Sequence, residues 1–300
     1  MKSTILIAHE YGAPDVLEYT QQTLQPLALG NARIQVKAAG INPIDARRMT
    51  GEFKHAALPQ TFGTEYAGII VEVDETQHTW KVGDEVLGSG GAFTHASVID
   101  VPLANLVKKP QNIDWAVAGS LAGAAQTAMT IFDEIGDIQS LLVHGGSGGV
   151  GSIVVQLAVE KGIDVVATAS SANQAYIKKL GATAVVYGDG LIERLKQIHP
   201  TQFDASIDLS GTEEATQAAL AMVKTNGFMG TIAGKKVSST QIRPVWVKRN
   251  LANLQHVVTG VSEGRFHWEV SREYPFEQAQ SAYSDILSGH TKGKSVLIFN

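Results

Sequence analysis

Cysteine is absent from the 300 residues, which excludes disulfides and every thiolate metal site, and with them a secreted disulfide scaffold. Basic residues are also in short supply: 24 Lys and Arg stand against 29 Asp and Glu, giving a net charge of −5 and an isoelectric point near 6.0. A protein that grips a phosphate backbone needs a basic surface to displace counterions, so nucleic acid is not expected as a main partner. No apolar run approaches the length of a membrane span. The opening stretch MKSTILIAHEYGAPD turns polar too soon for a secretory leader, so a cytoplasmic location with no membrane partner is expected. Internal repeats and low-complexity segments are missing as well. What is there is a globular composition, 44% hydrophobic with mean hydropathy +0.02, long enough for one large domain or two ordinary ones.

Against this background LLVHGGSGGVGSIVVQLA, residues 141–158, stands out. Dense glycine costs chain entropy unless the backbone turns sharply or approaches something closely. Gly146, Gly148 and Gly151 fit G-x-G-x-x-G between a short apolar strand and a helix, the arrangement that points helix N–H groups at a pyrophosphate. An ordinary glycine-rich loop would also match the bare pattern, but here the strand and the helix both flank it. Gly146, Ser147, Gly148, Gly149, Val150 and Gly151 are therefore candidate dinucleotide contacts.

Short β-branched runs alternate with helical stretches from residue 140 onward, which predicts a doubly wound parallel sheet. SLLVH (140–144), DVVATAS (164–170), AVVYG (184–188), FDASIDLSG (203–211), GFMGTIAG (227–234) and IRPVWV (242–247) read as its six strands. GVGSIVVQLAVEKG, NQAYIKKLGA, LIERLKQIHP and TEEATQAALAMVKTNG read as the helices between them. The earlier residues differ: half-alternating strands such as ARIQVKAAGI and YAGIIVEVD, broken by Gly and Pro, suggest a β-rich unit. A helical stretch, NIDWAVAGSLAGAAQTAMTIFDEIG, leads from it into the sheet domain. Residues 251–300 show no strand–helix rhythm and end in SVLIF, so the expected division is 1–112 with 251–300 against 113–250.

An acid about twenty residues past the glycines commonly holds the ribose of NAD. Here the strand ends in Ser170, Ser171 and Asn173 with no carboxylate. Small hydroxyls and an amide donate to a 2′-phosphate that a carboxylate would repel, so NADPH is the expected cofactor. The same residues are also ordinary helix caps.

With the glycine turn placed, the chain resembles the zinc-free, zeta-crystallin-like quinone oxidoreductase branch of the medium-chain dehydrogenase/reductase superfamily nearly end to end. EYGAPDVLEY, VKAAGINPIDARRMTG, FGTEYAGIIVEV, GDEVLG, GAFTHASV, VHGGSGGVG, KKLGA, IDLSG and GKSVLIF follow in that branch's order. The resemblance implies a GroES-like catalytic domain, a Rossmann domain, and a cleft where NADPH gives hydride to a quinone or an activated alkene. Zinc-dependent relatives carry Gly-His-Glu where this chain has Gly63-Thr64-Glu65, and they use cysteine ligands that are absent here, so no metal site is expected. The histidines, among them His9, His55, His78, His95 and His144, are scattered without ligand spacing.

The resemblance places Asn42 and Thr127 near the nicotinamide, although Asn before Pro is also a common turn residue. Arg47 stands where several quinone reductases have a tyrosine; its planar donors suit an oxyanion, and a solvated surface role is equally open. Tyr66 and Phe93 are implied pocket walls, with core packing as the plainer reading for Phe93. Glu65 reads as an anchor for a hydrogen bond within the domain, not as an acid. Tyr187, Ser210, Ala233 and Gly234 are implied cofactor contacts. Two departures stand out: Ala172 replaces a cation common in the 2′-phosphate loop, leaving Lys178 or Lys179 as substitutes, and Met129 replaces a usual aromatic. A homodimer through IRPVWV is expected, with Pro244 limiting its pairing. From a different class, a non-catalytic NADPH-binding sensor or accessory protein is the alternative.

Overall fold

Residue alternation builds the first unit in the computed structural model, which describes every residue except 55, 235, 236 and 290. His55 therefore lies outside the described residues. This unit comprises Met1–Gly123, Leu254–Arg265 and Glu269–Asn300. Its small sheet joins β1 (Lys2–Ala8), β2 (Glu18–Thr23) and, after β3 (Asn31–Ile41) and α1 (Pro43–Thr50), β4 (Gln60–Thr61). Its large sheet runs from β3 to β5 (Glu65–Val73), β6 (Glu85–Ser89) and β8 (Leu106–Lys108), with β7 (Val98–Pro102) also paired to β3. Leu6, Ile34, Ile41, Met49, Phe62, Ile70, Phe276 and Leu297 fill its core, each such side chain worth roughly 1.5–3 kcal/mol of burial.

A single helix, α2 (Trp115–Ile135), carries the chain onward, and the division between the units falls inside it, at Gly123 and Ala124. The first half belongs with the β-rich unit because small residues allow close approach: a side chain at Gly119 would meet the Ala38 backbone at 2.6 Å.

The second unit, Ala124–Asn253 with Phe266–Trp268, holds the expected parallel sheet. Its strands are β9 (Ser140–His144), β10 (Asp164–Ala169), β11 (Thr183–Val186), β12 (Phe203–Asp208), β13 (Val223–Thr231) and β14 (Arg243–Pro244). The order β11-β10-β9-β12-β13-β14 reverses direction beside β9, the switch point where doubly wound sheets bind ligands. The helices are α3 (Gly149–Glu160), α4 (Gln174–Lys179), α5 (Leu191–Ile198) and α6 (Glu213–Met222). Leu142, Val166, Val185, Leu195, Phe203, Met222 and Ile242 form the core.

Three expectations are corrected. The helix read to residue 227 ends at Met222, because Val223 pairs with Phe203 and opens β13. IRPVWV shrinks to a two-residue strand, since Pro244 has no N–H to extend the ladder. The tail does contain strand–helix–strand order: after α7 (Leu251–Ser262), β15 (Val270–Pro275) and β16 (Lys294–Ile298) are parallel partners joined through α8 (Ala279–Leu287). β16 pairs with β3 and so joins the tail to the large sheet. No helix among the described residues is long and apolar enough to cross a membrane.

Candidate functional site

The three motif glycines have three different surroundings. A side chain at Gly146 would press on Ala167 Cβ at 2.8 Å and Ile177 Cδ1 at 3.0 Å, so this glycine lets the turn lie flat on β10. One at Gly151 would meet Gly146 Cα at 2.8 Å, so this glycine lets α3 pack on the turn. Gly148 is the exception: its side chain would meet only the Gly145 carbonyl oxygen, at 3.7 Å. It caps α3 with no side-chain hydrogen bond, and the first helical bond runs from Ser152 N to Gly148 O at 2.9 Å. The N–H groups of Gly149 to Gly151 form the first turn of this 12-residue helix, where no earlier turn of the helix offers them a carbonyl and the positive end of its dipole lies. Ser147 and Val150 flank this helix start, the kind of position where an anion such as a pyrophosphate is favoured.

The other candidate cofactor residues gather at the carboxyl ends of neighbouring strands. Ser170 and Ser171 follow β10, and Asn173 Nδ2 donates to Ser147 Oγ at 3.3 Å, tying that loop to the glycine turn. Tyr187 N reaches Ala169 O at 3.4 Å, so the tyrosine sits beside the serine loop with its side chain 46% exposed. Ser210 follows β12, where Asp208 Oδ1 accepts from its N at 2.8 Å and its Oγ at 2.7 Å. Ala233 and Gly234 follow β13, Ala233 N donating to Thr231 Oγ1 at 3.1 Å. Lys178 and Lys179 are exposed at the far end of α4 and do not join the serine loop. His144, buried at the end of β9, has no partner for Nε2 among the described residues. Burial holds its pKa down to about 4 despite the nearby Asp208 carboxylate.

In the first unit, the Asn-Pro-x-Asp segment starts a helix. Asn42 is extended (φ −116°, ψ 152°), as a residue before proline must be, and Pro43 occupies the first helical turn. Asp45 reaches back with Oδ2 to Asn42 N at 2.9 Å and with Oδ1 to Gly63 N at 3.0 Å. Gly63 lies at φ +90°, where its missing side chain makes room for Thr94 and His95.

The Asn42 carboxamide does not cap the helix. Its Oδ1 accepts from Lys294 Nζ at 2.7 Å, and its Nδ2 donates to Glu65 Oε1 at 2.8 Å and to Thr64 Oγ1 at 3.3 Å. Lys294 also bonds Glu65 Oε1 at 2.7 Å and Ile41 O at 3.0 Å. Glu65 is fully buried and takes Gly123 N at 2.6 Å on its other oxygen. A neighbouring pair is equally enclosed: His95 Nε2 lies 3.2 Å from Gly40 O, and His95 Nδ1 lies 2.9 Å from the Tyr283 hydroxyl. A carbonyl can only accept, so Nε2 carries the proton and Tyr283 donates to Nδ1. Burial lowers the His95 pKa and raises that of Tyr283.

The remaining candidates are dispersed. Tyr66, expected in a pocket wall, is fully enclosed in the β-rich core, where burial raises its phenol pKa and its hydroxyl meets no partner among the described residues. Arg47 Nε lies 3.1 Å from Glu52 Oε1. Phe93 is 41% exposed and covers the buried guanidinium of Arg48, 5.7 Å from its ring centroid. Thr127 lies half-buried on α2. Lys294 was missed by sequence reasoning; its only signal is a lysine beside an otherwise apolar terminal strand. Among the described residues no cluster of three or more His, Asp or Glu comes together as a metal ligand set.

Comparison with known proteins identifies the family. The family described as "Alcohol dehydrogenase GroES-like domain" matches residues 29–135, and "Zinc-binding dehydrogenase" matches residues 149–270. The chain is 31% identical to the chloroplastic NADPH-dependent alkenal/one oxidoreductase of Arabidopsis thaliana, over 96% of this chain and 77% of that protein. It is 30% identical to the 2-methylene-furan-3-one reductase of Solanum lycopersicum, with coverage of 96% and 77%. Among solved structures, the quinone oxidoreductase of Coxiella burnetii superposes with TM-score 0.88 at 25% identity over 100% of both chains. The Escherichia coli quinone oxidoreductase complexed with NADPH shares the fold, with TM-score 0.89 at 24% identity over 98% of this chain and 99% of that one.

Proposed function

Because the chain belongs to the quinone and alkenal/one oxidoreductase branch of the medium-chain dehydrogenase/reductase superfamily, we propose that it is an NADPH-dependent, metal-free reductase of quinones or α,β-unsaturated carbonyls. The observation that carries this reading is Gly148, a helix start with no side-chain cap and with room where a side chain would stand. NADPH, when bound, supplies the hydride. The residues of the chain bind and orient. Gly146 to Gly151 would hold the pyrophosphate, and Ser170, Ser171 and Asn173 would meet the 2′-phosphate with Tyr187 beside them. Ser210, Ala233 and Gly234 would line the adjoining strand ends. Thr127 is proposed beside the nicotinamide.

Hydride addition leaves negative charge on the substrate oxygen, which calls for a preorganised donor. Asn42, with both ends of its carboxamide engaged, acts on position more than by contact. Arg47 beside Glu52 and the half-exposed Phe93 would shape the approach of the acceptor. The test is absorbance at the NADPH band against a quinone, an alkenal and a cyclic enone, with NADH in parallel. Oxidation of NADPH by at least one acceptor is the expected result. Binding of NADPH with no turnover across the panel would favour the sensor or accessory reading.

We also propose a homodimer through the β14 edge, where Trp246 is 64% exposed next to Arg243–Pro244. Light scattering should then give about twice 31.9 kDa, and a monomeric mass would refute it. A cytoplasmic location is what composition and the polar opening stretch suggest, while similar proteins include ones named chloroplastic and mitochondrial.

A further inference from the structure

We propose that the Thr64 hydroxyl is the hydrogen-bond donor to the carbonyl oxygen of the substrate, and that Lys294 is the positioning residue that aims it; this rests on the reductase reading above.

Lys294 has three N–H bonds and three acceptors, Ile41 O at 3.0 Å, Asn42 Oδ1 at 2.7 Å and Glu65 Oε1 at 2.7 Å. The ammonium is saturated and only 6% exposed, so it cannot turn toward a ligand. What it can do is decide the orientation of Asn42. A carboxamide flips at little cost when its surroundings are symmetric, but a cation on one side holds the oxygen there. The NH2 group is thereby directed at Glu65 Oε1 and Thr64 Oγ1.

A threonine hydroxyl that accepts from an amide keeps its own proton to give. Among the described residues no acceptor takes that proton, and Thr64 is half-buried and so not sealed in the core. The other donors on this unit are less suitable. Both amide directions of Asn42 are used, Arg47 lies against Glu52, and the Tyr66 hydroxyl is sealed in the core. Thr64 also borders the buried ion pair, whose fixed dipoles need no reorganisation as charge develops on the substrate.

In the reaction this donor serves, an enone gains hydride at its β-carbon and the C=C electron pair shifts so that an enolate oxygen forms. Thr64 donates a hydrogen bond to that oxygen without giving up its proton. Water returns a proton to the α-carbon, and NADPH is the two-electron reductant. Because the oxygen is more basic in the transition state than in the ground state, the bond strengthens where it matters for kcat.

The test uses the full chain with NADP⁺ and 4-nitrophenolate, whose visible band moves to shorter wavelength when its oxygen accepts a hydrogen bond. With the probe bound, the band of the parent and of Thr64→Ser should lie at shorter wavelength than that of the isosteric Thr64→Val. In turnover, Thr64→Val should lower kcat about a hundredfold, the usual effect of losing one such donor, with KM for NADPH unchanged, and Thr64→Ser should recover most of it. Asn42→Ala, which cuts the link to Lys294, should lower kcat about tenfold in the parent and have no further effect in the Thr64→Val background. The same bound band in the parent and in Thr64→Val, or Thr64→Val with the parent's kcat, overturns the proposal. A bound band that Thr64→Val moves to longer wavelength, in a protein that oxidises no NADPH, would support the donor and sink only the reductase reading.

Discussion

Replacing Gly148 by aspartate should weaken NADPH binding by at least about a hundredfold and leave the fold intact. The backbone there, φ −76° and ψ 173°, is open to any L-residue, and a new Cβ would meet only Gly145 O at 3.7 Å. Aspartate is moreover a favoured residue at a helix start, so the melting temperature should hold or rise. The carboxylate would, however, occupy the end of α3 that is free for a phosphate. Two like charges 4 Å apart repel by about 4 kcal/mol at an effective dielectric of about 20, nearly three decades in affinity. Fluorescence titration with NADPH beside a thermal melt separates the two effects. Undiminished affinity would show that the pyrophosphate binds elsewhere, whereas a collapsed melt would show that the glycine serves the fold. Glycine at this position, where it contributes least to the protein's own stability, is itself a sign of a ligand.

Lys294→Met should be the most damaging substitution in the β-rich unit. It keeps the length of the side chain but leaves Glu65, fully buried, without its counter-charge, and it strips a donor from Asn42 Oδ1 and Ile41 O. Breaking one side of a buried pair costs about 3–5 kcal/mol, a large share of the roughly 5–15 kcal/mol that holds an ordinary domain. Urea unfolding monitored by tryptophan fluorescence measures it. The double variant Lys294→Met with Glu65→Leu should recover much of the loss, because removing both charges leaves no uncompensated ion. A loss under about 1 kcal/mol in the single variant would mean that water reaches Glu65 and that the pair is a surface ornament.

The proposed cofactor residues and the proposed substrate residues differ in how far the sequence announced them. The first rest on local signals: a glycine turn between a strand and a helix, then strand ends at regular intervals, with Ser170, Tyr187, Ser210 and Gly234 falling at the carboxyl ends of successive strands. The second come from distant segments. Nothing near Lys294 foretells that it will meet Glu65, and a pattern of residue types cannot tell Arg47, beside Glu52 just past the end of its helix, from Arg48, buried under Phe93. Fold errors had the same origin. The run from Ala218 to Lys224 is rich in helix formers, but pairing of Val223 with Phe203 turned its end into a strand. β15 went unread because it is a largely exposed edge, VSREYP, whose polar residues give no apolar signature. Tyr66 looked like a pocket wall from its place in a motif, and its strand faced it inward.

The place of β16 in the large sheet also bears on the order in which the protein can fold during synthesis. It lies between β15 and β3, and Lys294 reaches Ile41 across 253 residues of sequence. By contrast, the six strands of the dinucleotide unit all lie between Ser140 and Pro244, so that sheet has every neighbour it needs well before β16 leaves the ribosome. Until then β3 presents an unpaired flank and Glu65 waits without its cation, which is the exposed strand edge that chaperones protect and aggregation exploits. The residues that complete the substrate side are thus the last to arrive, and a nascent chain would be able to hold its cofactor before it could use it.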